Sequence, residues 1–137
     1  MEQYNILIVE DDKEIRDGIE IFLKSQNYNV FKAADGVEGL EVMEREKISL
    51  AIVDIMMPRM DGVAFLKKLL PQYYLPVITV SSSNNMKQAA LDAGCIEFIQ
   101  KPLARTTADM QSFAQTICRA VKSAYDLHGD HSKAEEP

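Results

Sequence analysis

Short apolar segments alternate along the chain with longer segments in which apolar residues recur every three or four positions. The short segments are typical of buried strands, and the longer ones are typical of amphipathic helices. The predicted strands are residues 5–10, 29–33, 50–54, 77–81 and 97–100. The predicted helices are residues 13–26, 37–46, 86–93 and 107–125, together with a third helix in chain order. That third helix begins after the N-cap Asp61 and ends at Pro71. The pattern therefore predicts five consecutive strand–helix units.

This alternation predicts an α/β fold, because its near-continuous apolar strands suit a parallel sheet that helices cover on both faces. Right-handed crossovers restrict the topology to a doubly wound, five-stranded parallel sheet of the flavodoxin-like kind. Acidic residues follow strands one and three, which we therefore take as neighbours, and this favours the strand order 2-1-3-4-5. We expect one domain over residues 1–125 and a polar, flexible tail over residues 126–137.

Charged and polar residues stand at the C-terminal ends of four predicted strands. Glu10-Asp11-Asp12 ends the first strand, Asp54 the third and Ser81 the fourth, and Lys101 follows the fifth. Because the C-terminal ends of parallel strands share one edge, these groups are expected to converge on one pocket. Carboxylates at such short range repel each other, so a hard cation such as Mg²⁺, which prefers oxygen ligands, is expected there.

Composition and charge narrow the class of protein. The chain has 137 residues, of which 47% are hydrophobic and 26% charged, as in a soluble domain with a real core. Its net charge of −6 argues against direct binding to nucleic acid. No apolar run approaches the roughly 20 residues that span a bilayer. Cys95 and Cys118 suggest packing rather than a disulfide, and we expect a cytoplasmic location.

Four blocks of residues resemble the receiver domain of two-component response regulators. They are Val9-Glu10-Asp11-Asp12, the segment from Asp54 to Gly62, the segment from Pro76 to Ser81, and the segment from Gly94 to Lys101-Pro102. The resemblance covers about residues 4–125. The order and spacing of all four blocks agree with the family, which is more specific than any single motif.

The resemblance implies that Asp54 is a phosphoacceptor and that Mg²⁺ is the cofactor. Asp11 corresponds to a direct metal ligand, and Glu10 corresponds to an acid that acts through water. Asp54 shares the ion, and Met56 stands where the family offers a backbone carbonyl to it. We assign Asp12 to capping the helix that follows.

The resemblance also assigns roles outside the acidic cluster. Ser81 corresponds to the switch hydroxyl, Lys101 to the lysine that pairs with the acceptor and the phosphoryl group, and Phe98 to the switch aromatic. Thr79 also bears a hydroxyl, but strand parity favours Ser81. The family's lysine–proline bond is cis, a form that Lys101-Pro102 could share.

The chain departs from the family pattern at several positions. Phe98 has no hydroxyl, so a signal that passes through a tyrosine hydroxyl is absent. Leu103 replaces the more usual phenylalanine after the lysine–proline pair. Met56 and Ser83 stand at variable positions that tune how long the phosphoryl group survives.

The function implied is transfer of a phosphoryl group from a sensor histidine kinase or phosphotransfer protein onto Asp54. The added charge of about −1.5 to −2 would switch the face formed by the fourth helix, the fifth strand and the last helix. A downstream protein, an output domain or a second copy in a homodimer would then bind that face. We expect no enzyme activity apart from assistance to the chain's own Mg²⁺-dependent phosphorylation and dephosphorylation. A single-domain regulator and the receiver part of a longer regulator both stay open.

Two other classes compete with this interpretation. A flavodoxin-like cofactor binder would have a Ser/Thr/Gly-rich phosphate loop after the first strand, where this chain has Glu10-Asp11-Asp12. An aspartate-nucleophile phosphatase would carry a second aspartate two residues after the nucleophile, where this chain has Met56. A yellow cofactor in the purified protein would favour the first of these classes.

Overall fold

The computed structural model describes residues 4–57 and 61–129, in which a five-stranded parallel sheet carries helices on both faces. The elements are β1 (Asn5–Val9), α1 (Lys13–Ser25), β2 (Asn29–Ala33), α2 (Gly36–Arg45), β3 (Leu50–Asp54), α3 (Gly62–Leu69), β4 (Val77–Ser81), α4 (Lys87–Asp92), β5 (Glu97–Gln100) and α5 (Thr107–Ala124). The order across the sheet is β2-β1-β3-β4-β5, so the predicted fold and strand order are confirmed. Pro58, which we expected in a loop, lies outside the described residues with Arg59 and Met60.

The core lies on the two faces of the sheet. Every residue of β3 and β4 is buried, because these central strands have helices on both sides. Side chains of α1 and α5 pack on one face, and side chains of α2, α3 and α4 pack on the other. In the part of the chain that the structure describes, no helix has the length and apolar character needed to span a membrane.

Short polar side chains set where the helices begin. The Asp12 carboxylate accepts hydrogen bonds from the backbone N–H groups of Glu14 and Ile15, and Asp61 accepts one from Ala64. Both residues therefore cap helices, as the sequence predicts. The fourth helix begins later than predicted, because residues 84–86 form a 3₁₀ turn capped by Ser83 before α4 starts.

The last helix continues beyond its predicted end. Tyr125–Gly129 form a π-helical turn that spans the predicted boundary between the domain and its polar tail. The ring of Tyr125 packs edge-on against Tyr4 with a centroid distance of 4.9 Å, and Tyr28 completes the cluster. These aromatic contacts attach the first residue of the turn to Tyr4 and Tyr28, which pack against the core. Residues 130–137 of the predicted tail lie outside the described residues.

Gly18 offers a test of helix stability in α1. A Cβ atom at this position would meet only the terminal methyl of Met110, at an ordinary contact distance of 3.6 Å. Gly18→Ala is therefore expected to raise the free energy of unfolding by about 0.5–1 kcal/mol, since alanine is the better helix residue. Urea denaturation measures this change. Gly39→Ala is the matched control and should lose stability, because its Cβ would lie 2.9 Å from the ring of Phe65. A loss of stability in both variants would contradict the space inferred at Gly18.

Candidate functional site

Three carboxylates gather at the C-terminal edge of the sheet. Val9 lies opposite Val53 in the parallel pairing of β1 and β3, so Glu10 and Asp54, which come next, lie side by side. One oxygen each of Glu10, Asp11 and Asp54 lies within 4.8 Å of the other two. The side chains of Glu10 and Asp54 are 1% exposed, whereas Asp11 is exposed. The structure thus brings the three predicted acids together in a cluster that can hold a metal ion.

Lys101 lies against this cluster. Its Nζ atom is 2.9 Å from Glu10 Oε1, 3.0 Å from Glu10 Oε2 and 3.2 Å from Asp54 Oδ2. The backbone N–H of Lys101 donates to the Ser81 carbonyl at 2.8 Å, which extends the pairing of β4 with β5 by one residue. The sheet therefore places the ammonium group beside both buried carboxylates, as predicted from the strand ends.

Burial dominates the electrostatics of the cluster. It raises the pKa of Glu10 to about 8, and repulsion from Asp54 adds to this effect while Lys101 opposes it. Burial also raises the pKa of Asp54, again against the effect of Lys101. For Lys101 itself, burial lowers the pKa, but attraction to Glu10 and Asp54 outweighs this and the pKa is raised. One ammonium group thus compensates three carboxylates only in part.

The oxygen atoms in the cluster suit a hard cation. Within the described residues, Glu10 Oε1 and Asp54 Oδ2 are buried without accepting a hydrogen bond. Both lie at ion-pair distance from Lys101 Nζ, but that contact is not aligned as a hydrogen bond. Buried acceptors without donors are costly, and a small divalent ion with oxygen ligands relieves this cost. The residues present therefore fit a metal such as Mg²⁺.

The raised pKa of Glu10 predicts how the metal-free protein responds to pH. Its pKa is about 8 in the folded chain against an ordinary value of 4.5 for a glutamate, so the folded state binds a proton more tightly than the unfolded state. Stability from this group is complete below pH 4.5 and is lost as pH rises through about 8. Urea denaturation with a chelator should show a lower free energy of unfolding near pH 8 than near pH 5.

The control for this pH dependence is Glu10→Gln, which removes the titrating group. In this variant the free energy of unfolding should decrease less between pH 5 and pH 8 than it does in wild type. In the wild-type chain, the stabilisation by added Mg²⁺ should grow with pH, because a metal competes with protons for the carboxylates. A metal-free stability that increases over the same range would contradict the raised pKa.

The two candidate switch hydroxyls have different surroundings. Ser81 is buried, comes directly after the residue that pairs with Asp54, and accepts a hydrogen bond from the Ser83 N–H at 3.3 Å. Thr79 Oγ1 instead lies 3.2 Å from the Glu97 carbonyl and 3.3 Å from Cys95 Sγ. The hydroxyl of Thr79 is therefore engaged with the segment that enters β5, which supports the choice of Ser81.

Met56 contacts the acceptor through its backbone, whereas Phe98 lies against the core and beside a surface groove. The backbone N–H of Met56 donates to Asp54 Oδ1 at 3.1 Å, while its side chain is 62% exposed. Phe98 is half-buried and packs against the core beneath α2, α3 and α4. It also borders a wide surface groove with Leu103, which is 89% exposed.

The cis form that the resemblance allowed at Lys101–Pro102 is not found. Across residues 4–57 and 61–129 the structure has no cis peptide bond, so this one is trans. The trans form is the more stable form of a proline peptide bond by about 0.5–1 kcal/mol. Lys101 already reaches the acids through its backbone bond to Ser81 and through its side-chain contacts, without help from a cis bond.

Three further residues near the site were given no role in the sequence analysis. Arg16 Nη1 donates to the Glu10 carbonyl at 2.7 Å. Arg105 pairs with two acids at the start of α1. Gly62, which follows the predicted cap Asp61, passes so close to β3 that a Cβ atom would lie 2.6 Å from the Asp54 carbonyl oxygen. Acid–base pairing gives no local sequence signal for Arg105, but the Asp-Gly pair marks Gly62 as a candidate for a close approach.

Comparison with known proteins identifies relatives of this chain. Residues 6–111 match the family described as the response regulator receiver domain. The response regulator GtcR of Aneurinibacillus migulanus is 34% identical over 131 residues, covering 94% of this chain and 52% of the relative. A protein-glutamate methylesterase/protein-glutamine glutaminase of Syntrophotalea carbinolica is 33% identical over 138 residues, covering 94% of this chain and 38% of the relative. The chain thus spans about half or less of the length of these curated relatives.

Solved structures agree with these relatives. The response regulator domain of Thermotoga maritima CheB has 26% identity and a TM-score of 0.82, covering 91% of this chain and 98% of that one. A CheY-like receiver domain protein from Methanospirillum hungatei JF-1 has 29% identity and a TM-score of 0.74, covering 92% and 99%. These matches favour the receiver interpretation over the cofactor-binder and phosphatase alternatives.

Proposed function

Because this chain belongs to the response regulator receiver domain family, we propose that Asp54 is its phosphoacceptor and that Mg²⁺ is its cofactor. The observation that carries the proposal is the environment of Asp54. Its carboxylate is buried, lies beside Glu10 and Asp11, and is contacted by Lys101. This arrangement surrounds one acceptor with groups that hold a cation and a group that neutralises an anion.

The proposed reaction is phosphoryl transfer from a phosphohistidine on a sensor kinase or phosphotransfer protein. An Asp54 oxygen attacks phosphorus, the P–N bond breaks, the electron pair leaves with the imidazole, and an acyl phosphate forms. Such transfer needs alignment and charge neutralisation more than covalent help from the protein. The Met56 N–H orients the Asp54 carboxylate through Oδ1, and Lys101 moves its ammonium from the carboxylates to a phosphoryl oxygen.

Glu10, Asp11, Asp54 and the Met56 carbonyl are the groups that would hold the metal. A bound Mg²⁺ would supply positive charge to the phosphoryl oxygens. Asp11 is the exposed member of the cluster, so it is accessible to an incoming ion. Asp12 takes no part, because its carboxylate caps α1 and pairs with Arg105.

Asp11→Ala is expected to weaken Mg²⁺ binding by at least about 10-fold, since the loss of even an indirect ligand contact has an effect of this size. Isothermal titration calorimetry on the folded variant measures the affinity. Asp12→Asn is the matched control, because it removes a neighbouring negative charge outside the cluster and keeps a side chain that can cap a helix. Equal Mg²⁺ affinity of wild type and Asp11→Ala would contradict the metal assignment.

The output of the site is proposed to pass through Ser81 and Phe98. A phosphoryl group adds about −1.5 to −2 charge, and the Ser81 hydroxyl would bond one of its oxygens. The β4–α4 loop would then move and Phe98 would turn, which changes the face formed by α4, β5 and α5. Exposed apolar side chains in this region are Leu91 on α4, Ile96 just before β5, and Leu103, which borders the groove beside β5 and α5. A downstream protein, an output domain or a second copy of the chain is the proposed partner of this face.

Several finer points belong to the same proposal. Residues 1–125 act as the receiver and 126–137 as a polar tail. The chain transforms no external substrate, and the methylesterase activity in a relative's name belongs to that relative. The free thiols of Cys95 and Cys118 agree with a reducing compartment, which supports a cytoplasmic location.

The experiment that tests the function is labelling by acetyl phosphate, a small acyl phosphate donor. We expect one phosphoryl group per chain by intact-protein mass spectrometry, removed by hydroxylamine and dependent on Mg²⁺. No labelling in the presence of Mg²⁺, or equal labelling in the presence of a chelator, would overturn the proposal.

A further inference from the structure

The connection between β5 and α5 carries two cationic side chains that both bind the start of α1 and the residues before it. Lys101 binds Glu10 and Asp54 in the acidic cluster. Arg105, four residues later, binds Asp12 and Glu14 outside that cluster. The same two stretches of chain are therefore joined twice, once inside the site and once beside it.

The contacts of Arg105 use separate nitrogen atoms. Nη2 lies 2.7 Å from Asp12 Oδ2, and Nη1 lies 2.8 Å from Glu14 Oε1. Asp12 in turn donates its backbone N–H to Glu10 Oε2 at 3.0 Å, and Glu10 contacts Lys101. Arg105, Asp12, Glu10 and Lys101 thus form a closed ring of contacts, completed by the chain between residues 101 and 105.

Phosphorylation would open one side of this ring. When Asp54 carries a phosphoryl group, the Lys101 ammonium would turn from the carboxylates of Glu10 and Asp54 toward the phosphoryl oxygens. The pairing of Arg105 with Asp12 and Glu14 needs no such exchange, because neither acid belongs to the metal cluster. The second contact can therefore persist while the first is rearranged.

We propose that Arg105 is a positioning residue that holds the β5–α5 connection against α1, so that Lys101 stays within reach of the Asp54 phosphoryl group. This inference rests on the proposed function of Asp54. Arg105 itself touches neither Asp54 nor the metal cluster in the contacts described. It acts through Lys101.

The exposure of the Arg105 ion pairs distinguishes a positioning role from a contribution to the stability of the fold. The side chain of Arg105 is 41% exposed and that of Glu14 is 62% exposed. Ion pairs this exposed contribute little to stability. Loss of Arg105 should therefore leave the fold intact, and its effect should be seen in the rate of phosphoryl transfer, where small displacements of a reacting group matter.

The test is a double-mutant cycle on the rate of labelling by acetyl phosphate at saturating Mg²⁺. The variants are Arg105→Met, Lys101→Met, the double variant and Arg105→Lys. We expect Arg105→Met to slow labelling about 10-fold, which lies within the range for misplaced catalytic groups. When Lys101 is already replaced by Met, Arg105→Met should slow labelling by less than about 2-fold, because the ammonium group that Arg105 positions is absent. Arg105→Lys should restore most of the rate.

Arg119→Met is the matched control. It removes the same charge from an exposed arginine on α5 that has Thr116 as its one hydrogen-bond partner among the described residues, and it should label at the wild-type rate. If Arg105 only attracted the anionic donor, its loss would slow labelling equally with and without Lys101.

Three results would each overturn this inference. The first is an equal slowing by Arg105→Met in the presence and absence of Lys101. The others are no effect of Arg105→Met on the labelling rate, and a wild-type labelling rate in Lys101→Met. These outcomes leave the assignment of Asp54 as the phosphoacceptor in place as long as wild type is labelled on that residue. Failure of wild type to label overturns the proposed function, and the inference with it.

Discussion

Asp54→Asn is expected to reduce labelling by acetyl phosphate by at least about 100-fold, because removal of a nucleophile usually costs more than this. An amide is a weak nucleophile and cannot give an acyl phosphate. The replacement has nearly the same shape, so the surrounding loops keep their packing. It also removes the buried carboxylate of Asp54, whose pKa is raised by burial. The variant should therefore fold at least as stably as the metal-free wild type.

The measurement is the initial rate of phosphoryl incorporation by intact-protein mass spectrometry, followed by peptide mapping of the labelled residue. Asp92→Asn is the matched control, since Asp92 is an exposed acid on α4 that bonds only Gln88 in the described contacts. It should label as fast as wild type. Labelling of Asp54→Asn at the wild-type rate would show that the acceptor is another residue.

Gly62→Ala is expected to destabilise the protein by about 3 kcal/mol or more, beyond the usual cost of one extra methyl group in a core. Its Cβ would lie 2.6 Å from both the Asp54 carbonyl oxygen and the Ile55 Cα. Both are backbone atoms, one of the acceptor at the end of β3 and one of the residue that follows it, so neither moves without displacing the acceptor. The Gly62 N–H also donates to the Ile55 carbonyl at 2.9 Å, which fixes the close approach.

Urea denaturation at neutral pH, with and without Mg²⁺, measures this loss. Gly18→Ala makes the same chemical change and is expected to stabilise the chain, so the two variants should move in opposite directions. A loss at Gly62 smaller than about 1 kcal/mol would mean that the β3–α3 connection can relax around a side chain.

The order of secondary structure was determined by the sequence alone. The bounds predicted for β2, β3, β4 and β5 agree with the structure to the residue. Buried parallel strands are short apolar runs bounded by polar residues, so their ends are visible locally. The caps Asp12 and Asp61 were visible for the same reason, because a cap acts on backbone groups two or three residues away.

The acidic cluster was also predictable in outline. Glu10 and Asp54 are far apart in sequence, but both end strands of one parallel sheet, and the geometry of such a sheet brings these ends to one edge. The position of Lys101 followed from the same rule. The sequence thus determined which residues meet.

Only the tertiary structure decided the environment of these residues. The raised pKa values of Glu10 and Asp54 depend on how completely the surrounding loops exclude water. The pairing of Arg105 with Asp12 joins residues 93 positions apart, and nothing in either local segment specifies it. Local patterns record the covalent neighbours of a residue, whereas burial and long-range ion pairs depend on the packing of segments distant in sequence. For this reason the strands, the caps and the acidic cluster could be predicted from the sequence, and the second contact at Arg105 could not.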